Sequence, residues 1–497
     1  MLKVNKKQQK DINVDMYNIP THITLRDPMN IKISTDDYDR MEMLRDEFNL
    51  YTDGFRFSPA YKSGKWNGKI SLIRRDGSLP YGLLIEFIRS HKKLFPRAKL
   101  IVDDDVKDIF KGKPLNIKQD LTITPYPFQL DCIQKALKYT KGIIRSSTAS
   151  GKSAIISYIL KTLLENNIIN KGIIVVPNKS LVDQFHSDMI DYGISDRYSV
   201  GRVYQKSKEW DEDIVVSTWQ TLQNNHHKLP NYECIIIDET HHSKSFQLRK
   251  ILAKSVSAQY RLGFTGTLHS GQLDNFNTFA YLGPIIADYS SGELADKGYI
   301  SSCTVKMINI QYNDEYEGTY DEVKDQIFQN EYRLNMMKQI ISGTDDNILI
   351  LVGKVEKEGD FLRDWLSLRL KGKEIVFLSG RDDAEVREKW RKSFDKRKDI
   401  CLIATYGIFS TGINIPSLKH LILGSPFKSK IRVLQSIGRS LRKHASKEDG
   451  SYIYDICDDT KYFAKHSVIR SRYYDSEGFD IEDIVLREGD VYGNGKR

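Results

Sequence analysis

Cysteine is scarce in this chain: five among 497 residues, at positions 132, 234, 303, 401 and 457. They are too scattered to frame disulfides or a zinc site, and most sit among apolar neighbours. They read as reduced core residues of a cytosolic protein. No apolar run approaches the ~18 residues that a membrane span requires, so no membrane partner is expected. The opening Met1-Leu2-Lys3-Val4-Asn5-Lys6-Lys7 lacks the apolar stretch of a secretory leader, and a cytoplasmic location is expected. The paired histidines His226-His227 and His241-His242 could suggest metal, but neighbours at a strand end point in different directions. No nuclease or methyltransferase motif is present.

What is present is ordinary in bulk and uneven in detail. Hydrophobic residues make up 40% and charged residues 28%, which suits a folded globular chain long enough for two or three domains. The net charge of +9 is modest. Residues 51–100, however, hold eleven Lys/Arg against three Asp/Glu, whereas residues 1–50 hold eight against nine. The excess gathers at Arg56, Lys62, Lys65, Lys69, Arg74 and Arg75, interleaved with Tyr51, Phe55, Phe57, Tyr61 and Trp66. Basic side chains reach phosphates and aromatic ones stack on exposed bases, so this segment is expected to bind nucleic acid. The alternation in Phe55-Arg56-Phe57 and Lys69-Ile70-Ser71-Leu72-Ile73 reads as half-buried strands, which would place most of these aromatics in a core.

Chemistry is concentrated in three segments. The apolar run Cys234-Ile235-Ile236-Ile237 ends in Asp238-Glu239-Thr240-His241. Carboxylates leaving the carboxyl end of a buried parallel strand are placed where open α/β sheets bind ligands. Asp238 can hold Mg²⁺ through water, and Glu239 can deprotonate an attacking water. Upstream, Ser146-Ser147-Thr148-Ala149-Ser150-Gly151-Lys152-Ser153 follows the apolar Gly142-Ile143-Ile144 and opens a helical stretch. That is the setting of a phosphate-binding loop, with Thr148, Ser150 and Gly151 in the cradle, Lys152 as the point charge and Ser153 as an Mg²⁺ ligand. The pattern G-x-x-x-x-G-K-[ST] is broken at its first position, which is Ser146. Downstream, Arg439 and Arg442 lie three apart in Gln435-Ser436-Ile437-Gly438-Arg439-Ser440-Leu441-Arg442. On a helix they would share a face and could grip a γ-phosphate. A solvated basic helix face explains that segment equally well by itself.

In this order the motifs resemble those of superfamily 2 nucleic-acid helicases and translocases. Pro125-Tyr126-Pro127-Phe128-Gln129 resembles the glutamine motif, which implies that Phe128 and Gln129 receive adenine. Val175 to Gln184, with Pro177 and Asn178, resembles motif Ia. Ser217-Thr218-Trp219-Gln220-Thr221 resembles the next strand-contacting motif. Phe264-Thr265-Gly266-Thr267 resembles motif III, Ile403 to Gly407 with Thr405 and Ser410 to Asn414 with Gly412 resemble motif V, and Gln435 to Arg442 resembles motif VI. The matches cover residues ~125–445 and are far more specific together than singly. Ala149 stands where most of these loops have glycine, and Asn414 replaces an aspartate common in motif V.

The chain resembles the phage UvsW-type DNA helicases more closely still. Asp53 to Pro59 and Gly64 to Lys69 look like their additional amino-terminal domain, and Tyr406 to Ile413 and Leu441 to His444 look like their later segments. The resemblance implies an ATP- and Mg²⁺-dependent DNA helicase that remodels forks, junctions and R-loops in phage replication, recombination and repair. Its partners would be branched or single-stranded DNA, an RNA–DNA hybrid, and replication or recombination proteins, in the host bacterial cytoplasm. It also implies that Arg442 is the arginine finger and that His241, Thr265, Thr267 and Gln435 couple nucleotide to DNA. Pro177, Asn178, Thr218, Trp219, Thr405 and Gly412 would grip a strand, Gly412 and Gln435 would also bind the nucleotide, and Arg56, Lys65, Trp66 and Lys69 would hold DNA at the amino-terminal domain. Two alternatives stand beside this reading: the motor of a restriction or repair assembly, and an ATP-gated clamp that does not turn over.

The expected fold class is α/β, with two tandem RecA-like doubly wound parallel sheets and a small α+β amino-terminal domain. Expected domains are residues 1–110, basic and aromatic; 111–300, ATP-binding; and 301–497, the carboxyl-terminal helicase domain. Residues 21–34 should form two strands about Asp27-Pro28, Asp36 should cap a helix through Leu50, and a helix should lie near 83–95. Apolar runs at 172–176, 213–217, 234–237 and 261–264, and again at 348–352, 374–378, 400–404, 420–423 and 452–456, mark the strands of the two sheets. The tail beyond ~470 is mixed and charged and yields no assignment.

Overall fold

The uninterrupted apolar runs are strands buried on both faces, the expected environment of parallel strands covered by helices. The computed structural model describes residues 19–52, 54–205, 207–240, 245–268, 272–411, 415–425, 429–460 and 462–492. The chain divides into two units, residues 1–144 with 153–287, and residues 145–152 with 288–497. Among the described residues no helix is long and apolar enough to cross a membrane. All five cysteines are buried free thiols.

The amino-terminal part of the first unit is a four-stranded sheet in the order Ser78–Pro80, Asn30–Ser34, Thr21–Asp27, Leu100–Val102. Thr21–Asp27 and Asn30–Ser34 pair antiparallel, with Ile23 opposite Ile33, and Asp27 Oδ1 accepts from Met29 N at 2.8 Å to close the turn. Helices Tyr38–Glu47 and Leu84–Leu94 supply Leu44 and Phe87 to a core with Ile23, Ile31, Ile33, Phe48 and Leu79. Asp37, one residue beyond the expected Asp36, caps the first helix by accepting from Arg40 N at 2.9 Å.

Residues 55–62 depart from the strand expectation. Phe55–Phe57 is a 3₁₀ turn and Pro59–Lys62 a short helix, with only Asn49–Tyr51 and Lys69–Ser71 left as a two-stranded ribbon. Phe55 packs between Tyr51 and Tyr61 while Phe57 points to solvent, so the alternation does not mark a pleated strand. The core placement of the aromatics fails with it: Tyr51, Phe57 and Tyr61 are exposed, Phe57 at 81%.

The first large sheet has eight strands, ordered Ser207–Lys208, Val200–Tyr204, Ile214–Thr218, Gly172–Val176, Cys234–Ile237, Tyr260–Thr265, Lys141–Ser146 and Ile285–Tyr289. Its central pairs are parallel, with Val176 opposite Thr218 and Ile237 opposite Val175 and Gly263.

The second has seven, ordered Glu374–Leu378, Ile400–Thr405, Ile348–Val352, His420–Leu423, Ser451–Asp458, Cys303–Gln311 and Asp480–Arg487, every pair parallel. Strands alternate with helices through both, so the α/β class with two RecA-like sheets and a small α+β domain is what the chain adopts.

The unassigned tail is ordered structure. Helix Phe463–Glu477 ends at Gly478 in the left-handed conformation, and Asp480–Arg487 then joins the sheet edge beside Cys303–Gln311. Arg470 fixes this helix to the sheet through two buried contacts with Asp455, Nε to Oδ2 at 2.8 Å and Nη2 to Oδ1 at 2.9 Å. Tyr474 donates its hydroxyl to the same carboxylate at 2.7 Å.

Candidate functional site

Strand Lys141–Ser146 delivers its last residue to a tight loop, and helix Lys152–Glu165 leaves it. Gly151 turns the loop with φ +74°, a conformation that costs other residues energy. Ser150 N donates to the Ser147 carbonyl at 3.0 Å, and Lys152 Nζ reaches the same oxygen at 3.4 Å. Ser146, at the position of the missing glycine, is fully buried with a negative φ, and its hydroxyl lies 2.7 Å from that of Ser150. The departure from pattern therefore adds a hydroxyl strut across the loop. Ser147 Oγ is buried with no hydrogen-bond partner among the described residues. A polar atom so buried needs an acceptor or donor, and a phosphate oxygen is one. Ser153 lies in the first turn of helix Lys152–Glu165, its hydroxyl 3.0 Å from Tyr192 OH.

Within the first unit, Asp238 and Glu239 leave the buried strand Cys234–Ile237 as expected. Asp238 N donates to the Val175 carbonyl at 2.9 Å, and its side chain is buried. Glu239 has φ +50°, a left-handed conformation that non-glycine residues seldom adopt and that gathers at functional sites. Thr265 and Thr267, both buried, are locked together: Thr265 Oγ1 donates to the Thr267 carbonyl at 2.7 Å and accepts from Thr267 N at 3.2 Å. Gln129 is buried and its Oε1 accepts from Tyr126 N at 2.8 Å, capping helix Pro127–Tyr139, while Phe128 stacks on Tyr126 at 6.2 Å.

Pro177, Asn178, Thr218 and Trp219 meet at the carboxyl ends of two adjacent parallel strands, because Val176 and Thr218 are in register. Gln220 Nε2 bridges to the Pro177 carbonyl at 3.2 Å. Asn178 and Thr218 each cap the helix that follows, so their side chains hold the backbone that faces outward.

In the second unit, Thr405 ends its strand buried. Gln435 is buried on helix Lys430–Ser440, and the Arg439 guanidinium lies over the Phe409 ring at 5.6 Å. Gly438 lies against the phosphate loop within this unit: a Cβ there would stand 2.8 Å from the Cβ of Thr148. The expected shared helical face of Arg439 and Arg442 is not observed, since the helix ends at Ser440. Three successive carbonyls are taken there by side chains and backbone from elsewhere. Ser440 O accepts from Lys447 Nζ at 2.7 Å and Ser451 Oγ at 2.8 Å, Leu441 O from Ser301 N at 2.8 Å, and Arg442 O from Ser301 Oγ at 3.1 Å. Lys447 is buried, and burial, followed by the charge of Arg442, lowers its pKa to about 8.

Arg56 and Lys65 are exposed, Trp66 and Lys69 half-buried, with Trp66 Nε1 donating to the Lys69 carbonyl at 2.9 Å. His241 and Gly412 lie outside the described residues. Sequence reasoning did not single out Tyr192, Ser301 or Lys447. Lys447 sits in the charged run Lys443-His444-Ala445-Ser446-Lys447, which gives no sign of burial.

Three family models match the chain: type III restriction enzyme, res subunit, over residues 122–270; DNA helicase UvsW, N-terminal, over 21–95; and helicase conserved C-terminal domain, over 332–444. The ATP-dependent DNA helicase uvsW of Enterobacteria phage T4 is 25% identical, over 91% of this chain and 98% of that one. The DNA 3'-5' translocase XPB2 of Sulfurisphaera tokodaii is 24% identical, over 85% of this chain and 98% of that one. The structure of S. cerevisiae Dbp5 bound to RNA and ADP BeF3 shares the fold, with TM-score 0.51 and 16% identity over 74% of this chain and 91% of that one.

With these matches and two helicase-type sheets, the chain is an ATP-dependent helicase, an enzyme that binds nucleic acid, and it resembles the superfamily 2 DNA helicases. Within that class it resembles the phage UvsW-type helicases along nearly its whole length, the amino-terminal domain included.

Proposed function

We propose that the chain couples ATP hydrolysis to the unwinding or remodelling of branched DNA, namely forks, junctions and R-loops, in phage replication, recombination and repair. Residues 1–110 form the DNA-binding domain, 111–300 the ATP-binding domain and 301–497 the second helicase domain. The observation that carries this reading is the composition of residues 54–75, which hold six Lys/Arg and no Asp/Glu beside exposed aromatics. Such a surface attracts phosphate and offers faces to unpaired bases.

In this reading Phe128 and Gln129 receive the adenine of ATP. Lys152 and the backbone N–H groups of Thr148 to Ser153, with Ser150 and Gly151 shaping the loop, bind its phosphates. Glu239 accepts the proton of the attacking water. Arg439 and Arg442 neutralise charge on the γ-phosphate, with Arg442 as the finger. The Ser153 hydroxyl and the Asp238 carboxylate are hard oxygen donors of the kind Mg²⁺ prefers. When bound, the ion supplies positive charge to the phosphate oxygens. Pro177, Asn178, Thr218, Trp219 and Thr405, with Gly412, grip a strand's backbone, and Thr265, Thr267, Gln435 and His241 couple nucleotide state to that grip.

The test is ATPase stimulation by single-stranded, duplex, forked, four-way and RNA–DNA substrates. Forks and junctions should stimulate most, and the triple variant Arg56→Ala, Lys65→Ala, Lys69→Ala should lose that preference. Equal stimulation by every substrate overturns the reading. The match to a restriction-enzyme subunit supports a second one, a duplex translocase within a larger assembly. Stimulation by linear duplex alone would favour it.

A further inference from the structure

Among the described residues Phe57 is the most exposed aromatic ring of the amino-terminal domain, and it sits on a well-built support. The segment begins with Gly54 in the left-handed conformation, after which Phe57 N donates to the Gly54 carbonyl at 2.9 Å and Ser58 N to Phe55 O at 3.1 Å. Phe55 stacks on Tyr51 at 4.5 Å and meets Tyr61 edge-on at 4.8 Å. Lys69 lies over the Tyr51 ring at 5.0 Å, and Arg56 over Phe55 at 5.7 Å. Behind them Gly68 leaves room for Phe55, since a Cβ there would come within 2.5 Å of its ring. Thr52 N to Gly68 O at 2.9 Å and Trp66 N to Ala60 O at 3.1 Å tie the two ends of the segment together.

Three rings and two cations therefore interlock, and the fourth ring stands out of the cluster. Tyr51, Phe57 and Tyr61 are all exposed on this segment, and exposed apolar residues grouped together are a mark of a contact site. The surroundings name the partner's charge. Arg56, Lys62 and Lys65 are exposed on the same segment, and no acid occurs between Gly54 and Arg75. A nucleotide presents both a π-face and a phosphate, the two features that exposed aromatic and basic side chains complement.

We propose that Phe57 is a base-stacking residue: its ring takes the face of an unpaired base while Arg56, Lys62 and Lys65 take the flanking phosphates. The inference rests on the proposed DNA role of this domain and specifies what the domain detects, which is a base outside the duplex stack. Stacking is sequence-tolerant because every base has a π-face, so Phe57 distinguishes unpaired from paired DNA without reading sequence.

The full-length protein is titrated with forked DNA, and with the same fork made abasic in its single-stranded arms. Phe57→Ala should weaken fork binding by about 5- to 150-fold, the range expected for losing one stacked base. Removing the bases should weaken the wild type by a similar factor and leave Phe57→Ala unaffected, and Phe57→Trp should restore binding. The ring is exposed, so thermal melting of the variants should match that of the wild type. If Phe57→Ala and wild type respond equally to the abasic fork, the inference is wrong. If that happens while Arg56→Ala with Lys65→Ala still weakens binding, the domain holds DNA by charge alone. If neither set weakens binding, the DNA role of the domain fails as well.

Discussion

The ammonium of Lys447 donates to the carbonyl of Ser440 at 2.7 Å, closing the helix that carries Gln435 and Arg439. With Ser451 and Ser301 it fixes the three residues that end in Arg442. Lys447 thereby holds the backbone that leads into Arg442, the residue proposed above as the arginine finger.

Lys447→Met should therefore lower the turnover of ATP, by up to about 100-fold, with little change in KM, since misaiming a catalytic group costs rate more than binding. Lys447→Arg should recover part of the loss. Steady-state kinetics on forked DNA reads both. An unchanged kcat in Lys447→Met would show that Arg442 is held without it.

The same lysine predicts a pH dependence of stability. Burial lowers its pKa to about 8 from the ordinary 10.5, so the folded state binds this proton more weakly than the unfolded state. Its contribution to stability is greatest above 10.5, declines as pH falls from 10.5 to 8, and is flat below 8. In urea unfolding, the stability of the wild type relative to Lys447→Met should follow that course. A difference constant across the window contradicts the buried amine.

The carboxyl-terminal tail should matter to stability through Arg470. Arg470→Met leaves the Asp455 charge buried beside Tyr474, a change that costs about 3–5 kcal/mol when one partner of a buried pair is removed. Pairing it with Asp455→Asn should recover much of that loss. Denaturant unfolding of the single and double variants measures it.

At the phosphate loop, Ser146→Ala deletes the buried contact with Ser150 and should destabilise the protein by about 1 kcal/mol. Ser146→Gly should do the same and add flexibility. Equal or greater stability in Ser146→Ala would mean that the strut contributes nothing.

The parts of this molecule that sequence reveals are those in which one local pattern has one meaning. The four apolar residues before Asp238-Glu239 form a buried parallel strand as the run implies, and Gly151-Lys152-Ser153 turns into a helix as its spacing requires. Elsewhere the pattern was overruled by tertiary packing. Phe55-Arg56-Phe57 alternates like a strand, yet Tyr51 and Tyr61 clasp Phe55 and wind the segment into a turn. Asp480-Ile481-Glu482-Asp483 looks like a solvated tail because it belongs to an edge strand, five of whose eight residues are exposed. Arg442 lies past its helix, where Ser301, distant in sequence, binds its carbonyl and Lys447, five residues on, binds that of Ser440. Nothing local to Lys447 signals burial.

Glu239, a carboxylate at a strand end with φ +50°, is the proposed general base. The most direct test is single-turnover unwinding of a forked DNA by the wild type and Glu239→Gln, with ATP binding and hydrolysis followed in parallel. The variant should bind ATP and the fork but hydrolyse ATP about 10²–10⁴-fold more slowly, and it should fail to unwind on the wild-type timescale. Wild-type hydrolysis and unwinding by Glu239→Gln would contradict the account.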